Sequence, residues 1–190
     1  MEFRILGPLE VVHDGRPVAL GGTRERAVLA LLLLSPNRIV SAERLAEDLW
    51  GDNPPERGIH SLRVFVSRLR KALREAGSDE LVVTQAPGYL VHLDPADLDA
   101  ARFERLVASA RDQRRQGAHD QAAATLREAL GLWRGPALAD VADAPLARAE
   151  AARLEEIRQA ALEERIEADL ACGRHQELTA ELDSLTRAHP

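Results

Sequence analysis

The chain has 190 residues, 45% of them hydrophobic and 29% charged, with 31 acidic against 25 basic side chains and a net charge of −6. That is ample apolar material for one or two domains. No run reaches the ~18 apolar residues of a membrane span, and the opening residues lack the basic-then-apolar plan of a secretion signal, so a soluble cytoplasmic protein is expected. Cys172 is the single cysteine; it excludes an internal disulfide and any zinc site built on several thiolates.

The net charge conceals an asymmetry. Residues 1–93 hold 12 basic and 12 acidic side chains, and residues 94–190 hold 13 and 19. The whole acidic excess lies in the second part, so any polyanion-binding role has to rest on a local basic patch in the first.

In chain order, Phe3 and Ile5, then Leu9 and Val11, alternate with polar neighbours, as residues of short strands do. Asp14-Gly15 is a hairpin turn signal, and Pro17 to Leu20 would be the returning strand. Thr23 is placed to cap a helix over 24–34 whose stretch from Ala27 to Leu34 is nearly all apolar, and Ser35-Pro36-Asn37 stops it. Ser41 caps a second helix through Trp50, with Leu45 and Leu49 on its buried side. A stiff polar loop, Gly51 to Pro55, leads to the next element.

That element, Glu56 to Glu75, organises the first half. Ile59, Leu62, Val66, Leu69 and Leu73 recur at helical spacing and form one apolar stripe. The other side carries His60, Arg63, Val64, Ser67, Arg68 and Lys71. From Arg57 to Arg74 there are six Lys or Arg and no acidic residue. A merely solvated face normally mixes signs through i,i+4 pairs; an unmixed basic face suits a polyanion. Gly77-Ser78-Asp79 ends the helix. Leu81 to Thr84 and Tyr89 to Leu93 then flank Gln85-Ala86-Pro87-Gly88 as a hairpin. Sheet, helix, helix, basic helix and hairpin make a winged helix-turn-helix over residues 1–93.

Asp94-Pro95-Ala96-Asp97 is the expected junction, and residues 97–190 read as all-helical. Phe103, Leu106, Val107 and Ala110 make one apolar face, and Ala122, Leu126, Ala129, Leu130 and Trp133 the next, with Gly117 between. A loop runs to Pro145, a long helix spans about 146–171, and Leu178, Leu182 and Leu185 mark a last helix after Gly173. Gly117-Ala118-His119-Asp120-Gln121-Ala122 matches Gly173-Arg174-His175-Gln176-Glu177-Leu178, 56 positions on. A tight glycine turn between amphipathic helices is the unit of tetratricopeptide-like repeats, although their usual period is about 34. Two such pairs fall short of the roughly three that a stable stack needs, and His189-Pro190 resembles an inter-repeat turn. The chain is therefore expected to be the N-terminal piece of a longer one, the alternative being that these helices pack back on the winged helix.

In a winged helix-turn-helix the third helix enters the major groove of DNA. Arg63 and Arg68 are the candidates for base edges, because arginine can hold guanine O6 and N7 bidentately. Val64 could meet a thymine methyl or pack against the wing, and Ser67 could reach a base or a phosphate. His60, Ser61, Arg70, Lys71 and Arg74 are expected at phosphates, which position a helix without reading sequence. Trp50 reads as core, as a phosphate donor through its indole N–H, or both. Arg38, Arg44 and Arg57 could add backbone contacts or simply be solvated. Gln85 at the wing tip predicts a weaker minor-groove contact than an arginine would make. For catalysis there is no P-loop, no Gly-x-Gly-x-x-Gly, no His-Glu-x-x-His and no Gly-x-Ser-x-Gly. Gly21-Gly22-Thr23 before a helix could seat a phosphate in principle but lacks a lysine or second motif. No cofactor or metal site is expected.

The run from Arg24 to Leu73, with Leu49-Trp50 and VSRLRKAL, and the segment TQAPGYLV from Thr84 to Val91 resemble the Streptomyces antibiotic regulatory protein family. The first domain is similar to the OmpR-type winged helix, and the second half to that family's bacterial transcriptional activator domain, a tetratricopeptide-like helical fold. The resemblance implies an activator that binds direct repeats in the promoters of secondary-metabolite genes, usually as two protomers side by side, and contacts RNA polymerase and its sigma factor. It implies base contacts from Arg63, Val64, Ser67 and Arg68, and phosphate contacts from Trp50, His60, Ser61, Arg70 and Tyr89. The wing arginine common in such domains is replaced here by Gln85. A nucleoid-associated protein in the cytoplasm is expected. The alternative reading, motivated by the acidic second half, is a helical adaptor whose winged domain binds protein.

Overall fold

The computed structural model describes residues 1–51, 55–78, 80–175 and 178. These residues fall into two compact units, one of residues 1–102 with 133–155, the other of 103–132 with 156–190. The expected loop over 51–55, the helix end at Asp79 and the last helix through Leu182 and Leu185 lie wholly or partly outside the described residues, as does the His189-Pro190 turn.

The first unit opens with a three-stranded antiparallel sheet, β1 (Glu2–Arg4), β2 (Glu10–His13) and β3 (Arg16–Pro17). The turn between β2 and β3 places Asp14 and Gly15 at φ 50° and 74°, the positive pair that a two-residue hairpin turn requires. The returning strand is shorter than the periodicity suggests, with the Val18 N–H to Val11 carbonyl bond as its last cross-link. Helix α1 (Thr23–Leu33) follows, buried along almost its whole length from Ala27 to Leu33. Gly22 occupies its N-cap and Thr23 is already helical, so Thr23 caps nothing. The cap of α2 (Ala42–Trp50) is as expected, Ser41 Oγ accepting from the Arg44 N–H at 3.1 Å.

Helix α3 (Gly58–Glu75) buries Leu62, Val66, Leu69 and Leu73 against α1 and α2, with Ile59 partly exposed at the stripe's end. The wing consists of β5 (Val82–Gln85) and β6 (Gly88–Val91), and a two-residue strand too short to show in the sequence pattern, β4 (Val40–Ser41), joins it in the order β4-β6-β5. Gly88 lies against Ser41. A Cβ there would sit 1.9 Å from the Val40 carbonyl oxygen and 2.6 Å from Ser41 Cα, both backbone atoms with no rotamer to yield. Gly88→Ala is accordingly expected to push β4 off β6 at a cost of about 1–3 kcal/mol, seen in urea unfolding of the full chain.

The connection between β1 and β2 is held by residues far along the chain. The Asp99 carboxylate accepts the Ile5 and Leu6 N–H groups at 2.8 and 3.0 Å. The Leu9 N–H donates to Asp140 at 2.8 Å, and Arg26 Nε donates to the same carboxylate at 2.7 Å. The N–H groups of Arg134 and Leu138 reach the carbonyls of Leu6 and Ile5. Ile5, Leu6 and Leu9 are buried there together with Leu138.

In the second unit, α4 (Asp99–Arg115, its first residues belonging to the first unit) and α5 (His119–Leu130) are joined by a turn with Gly117 at φ 77°. Phe103, Val107, Ala110, Ala122, Leu126 and Ala129 are buried, as the helical spacing requires. Helix α6 (Pro145–Ala171) buries Leu154, Ala161 and Ala168 and leaves Leu170 exposed. Gly173 ends it at φ 79°. Asp169, only 1% exposed, accepts from Arg127 at 2.6 Å, Arg174 at 2.8 Å and Arg165 at 3.2 Å. Arg174 also pairs with Asp120. One carboxylate thus ties α5, α6 and the glycine turn together.

Candidate nucleic-acid interface

Helix α3 presents His60, Arg63, Ser67, Arg68, Lys71 and Arg74 at the surface, while Ser61 and Val64 are half-buried. Between this face and the wing runs an open groove of about 730 Å³, lined by Arg63, Val66, Ser67, Arg70, Lys71, Arg74, Thr84 and Tyr89. Four of those eight side chains are cationic and none is acidic. Among the described residues the Arg63 side chain has no hydrogen-bond or ion-pair partner. Lys71 stands 3.8 Å from Glu75, with both side chains well exposed, an arrangement that water and salt largely neutralise.

Arg70 ties α3 to the wing. Its Nε donates to the Val82 carbonyl at 2.7 Å and its Nη2 to Thr84 Oγ1 at 2.8 Å, and the guanidinium lies 5.9 Å above the Tyr89 ring centroid. Two of its five donors are therefore committed to the wing, and Tyr89 is buried beneath it. Gln85 is exposed at the tip. Trp50 is half-buried, its ring tilted against Phe65 at 6.3 Å. Gly58 opens α3 beside it, 3.5 Å from the indole edge where a Cβ would stand. Arg44 is engaged with buried Asp48 at 3.1 Å, whereas Arg38 and Arg57 are exposed.

Sequence reasoning did not single out Phe65, Thr84 or Glu25. Phe65 falls between the apolar stripe and the basic face, and Thr84 is an ordinary strand residue. Glu25 reads simply as a first-turn acid favoured by the helix dipole. Nothing in the periodicity reveals that it is buried and bound to Arg68 at 3.3 Å, 43 residues away.

A helix-turn-helix whose second member borders an acid-free groove closed by a β-hairpin is the architecture of a winged-helix transcription regulator. Residues 15–91 match the model of the C-terminal domain of transcriptional regulatory proteins, and residues 98–190 match the bacterial transcriptional activator domain. Over its whole length the chain is 36% identical to the regulatory protein DnrI of Streptomyces peucetius, covering 72% of it. It is 39% identical to the regulatory protein AfsR of Streptomyces coelicolor, covering 19% of that protein. The solved structure of Mycobacterium tuberculosis EmbR in complex with a low-affinity phosphopeptide superposes on the entire chain with a TM-score of 0.94 at 37% identity, the chain spanning half of that protein. The chain belongs to the Streptomyces antibiotic regulatory protein family, whose members are transcriptional regulators and not enzymes. Among the described residues no helix is long and apolar enough to cross a membrane.

Proposed function

We propose that this protein is a sequence-specific activator that lays α3 in the major groove of promoter DNA. Function divides at the Asp94–Asp97 junction, with residues 1–93 binding DNA and 97–190 carrying activation. Arg63, Val64, Ser67 and Arg68 read base edges. Trp50, His60, Ser61, Arg70, Lys71, Arg74 and Tyr89 meet phosphates, and Gln85 brings the wing tip to the minor groove without a charge. Two protomers occupy direct repeats side by side, and the complex recruits RNA polymerase through its sigma factor, with secondary-metabolite genes as the targets. The working place is the cytoplasm, on the nucleoid. The observation that carries this reading is the acid-free groove with four cationic side chains between α3 and the wing.

Binding driven by phosphate neutralisation releases counterions, so affinity for a promoter fragment should fall steeply and log-linearly with salt. Arg68→Ala is expected to lose about 1–3 kcal/mol of preference for the cognate site, whereas Lys71→Ala should weaken all sites alike and reduce the salt slope by about 1. Electrophoretic shifts across a salt series measure both. Affinity that ignores salt would remove the DNA reading, and a chain that shifts no DNA but captures a protein through the winged domain would establish the adaptor instead.

A further inference from the structure

Behind the recognition helix stands a buried carboxylate that no base or phosphate contact explains. Glu25, in the first turn of α1, is 5% exposed. Its Oε1 accepts from Arg68 Nη1 at 3.3 Å, while 67% of the Arg68 side chain remains open to solvent. The same carboxylate lies against the glycine pair that precedes α1. A Cβ on Gly22 would stand 3.2 Å from Glu25 Oε2, and one on Gly21 would stand 3.5 Å from its Cγ. Gly21-Gly22-Thr23, which could in principle have seated a phosphate, is filled by the protein's own acid.

We propose that Glu25 is a positioning residue for sequence discrimination: it holds the Arg68 guanidinium by one edge and leaves the other donors for a base. This rests on the reading that Arg68 contacts bases. A free surface arginine loses much rotamer freedom when it docks bidentately, and a side chain already held loses less. Glu25 is buried and Arg68 exposed, so the carboxylate acts as the fixed post. Glycine at 21 and 22 supplies the room that post needs.

The test uses the full chain, a duplex selected from a random library by the unmodified protein, and a shuffled duplex of the same composition. Affinities are read by fluorescence anisotropy at one salt concentration. Glu25→Gln is expected to lower the selected-to-shuffled affinity ratio by about three- to tenfold, the lower part of the range of coupling between contacting residues, with affinity for the shuffled duplex unchanged. Added to Arg68→Ala, it should lower the ratio no further. Gly22→Ala, at a backbone conformation (φ −84°) open to any residue, displaces the carboxylate without removing it and should shift the ratio in the same direction. A tighter grip on the selected duplex after Glu25→Gln would mean that Glu25 withholds Arg68, and would overturn the proposal. So would an equal loss on both duplexes, or a loss that persists in the Arg68→Ala background. If Arg68→Ala itself leaves the ratio untouched, the base-contact reading falls; if it collapses the ratio and Glu25→Gln does not, only the positioning role falls.

Discussion

Replacing Asp169 with alanine is expected to loosen the second unit by about 3–5 kcal/mol, the cost of removing one partner of a buried ion pair. The side chains of Asp169 and Arg165 are 1% and 6% exposed, so water cannot take the place of the lost acceptor. Arg127 and Arg174 lose the same carboxylate. Hydrogen exchange should localise the effect, with amides of α5 and of α6 beyond Glu156 opening first. Unchanged protection in those helices would refute the assignment. The ion cluster also has a pH signature. Burial alone would raise the Asp169 carboxyl, but hydrogen bonds from Arg174, Arg127 and Arg165 together overrule it and hold the group below its ordinary 3.8. Its contribution to stability is therefore full above pH 3.8 and is lost as the pH falls through the lower folded value. Asp169→Asn should flatten the acid limb of the stability curve in that window.

Cutting the chain after residue 97 is expected to yield a winged helix markedly less stable than it is in the full chain, although the OmpR-type match ends at residue 91. The cut removes Asp99, Arg134, Leu138 and Asp140, which satisfy backbone groups of Ile5, Leu6 and Leu9. It also uncovers the apolar side chains of those three residues, which are buried in the chain. The fragment should unfold at lower urea concentration than the full chain, with a smaller denaturant slope. In the full chain, Asp140→Ala should cost about 2–3 kcal/mol, since it takes the acceptor from both the Leu9 N–H and Arg26. A fragment as stable as the parent would show the long-range stitching to be unimportant. Asp99 has the opposite pH sign to Asp169. Burial raises its carboxyl above 3.8 against the pull of the Ile5 and Leu6 N–H groups and Arg134. The stability it contributes is full below pH 3.8 and declines as the pH rises through the raised folded value.

The sequence by itself determined the elements that repeat at helical or strand spacing. The apolar stripe of α3, the unmixed charge opposite it, the Ser41 cap, the Asp14-Gly15 turn and the glycine breaks at 117 and 173 are all local, and short-range sterics and solvation decide them. Only the tertiary structure decided what the charged side chains do. Arg70, a phosphate candidate by its place on α3, also braces the wing through Val82 and Thr84, and Arg68 rests on Glu25. Segment 133–155, which carries no strong periodicity until α6 begins, belongs to the first compact unit. Such partners lie 12 to more than 100 residues apart along the chain. Ion pairs and backbone stitches of that range depend on which surfaces packing brings within about 3 Å, and a periodicity of 2 or 3.6 residues carries no record of that distance.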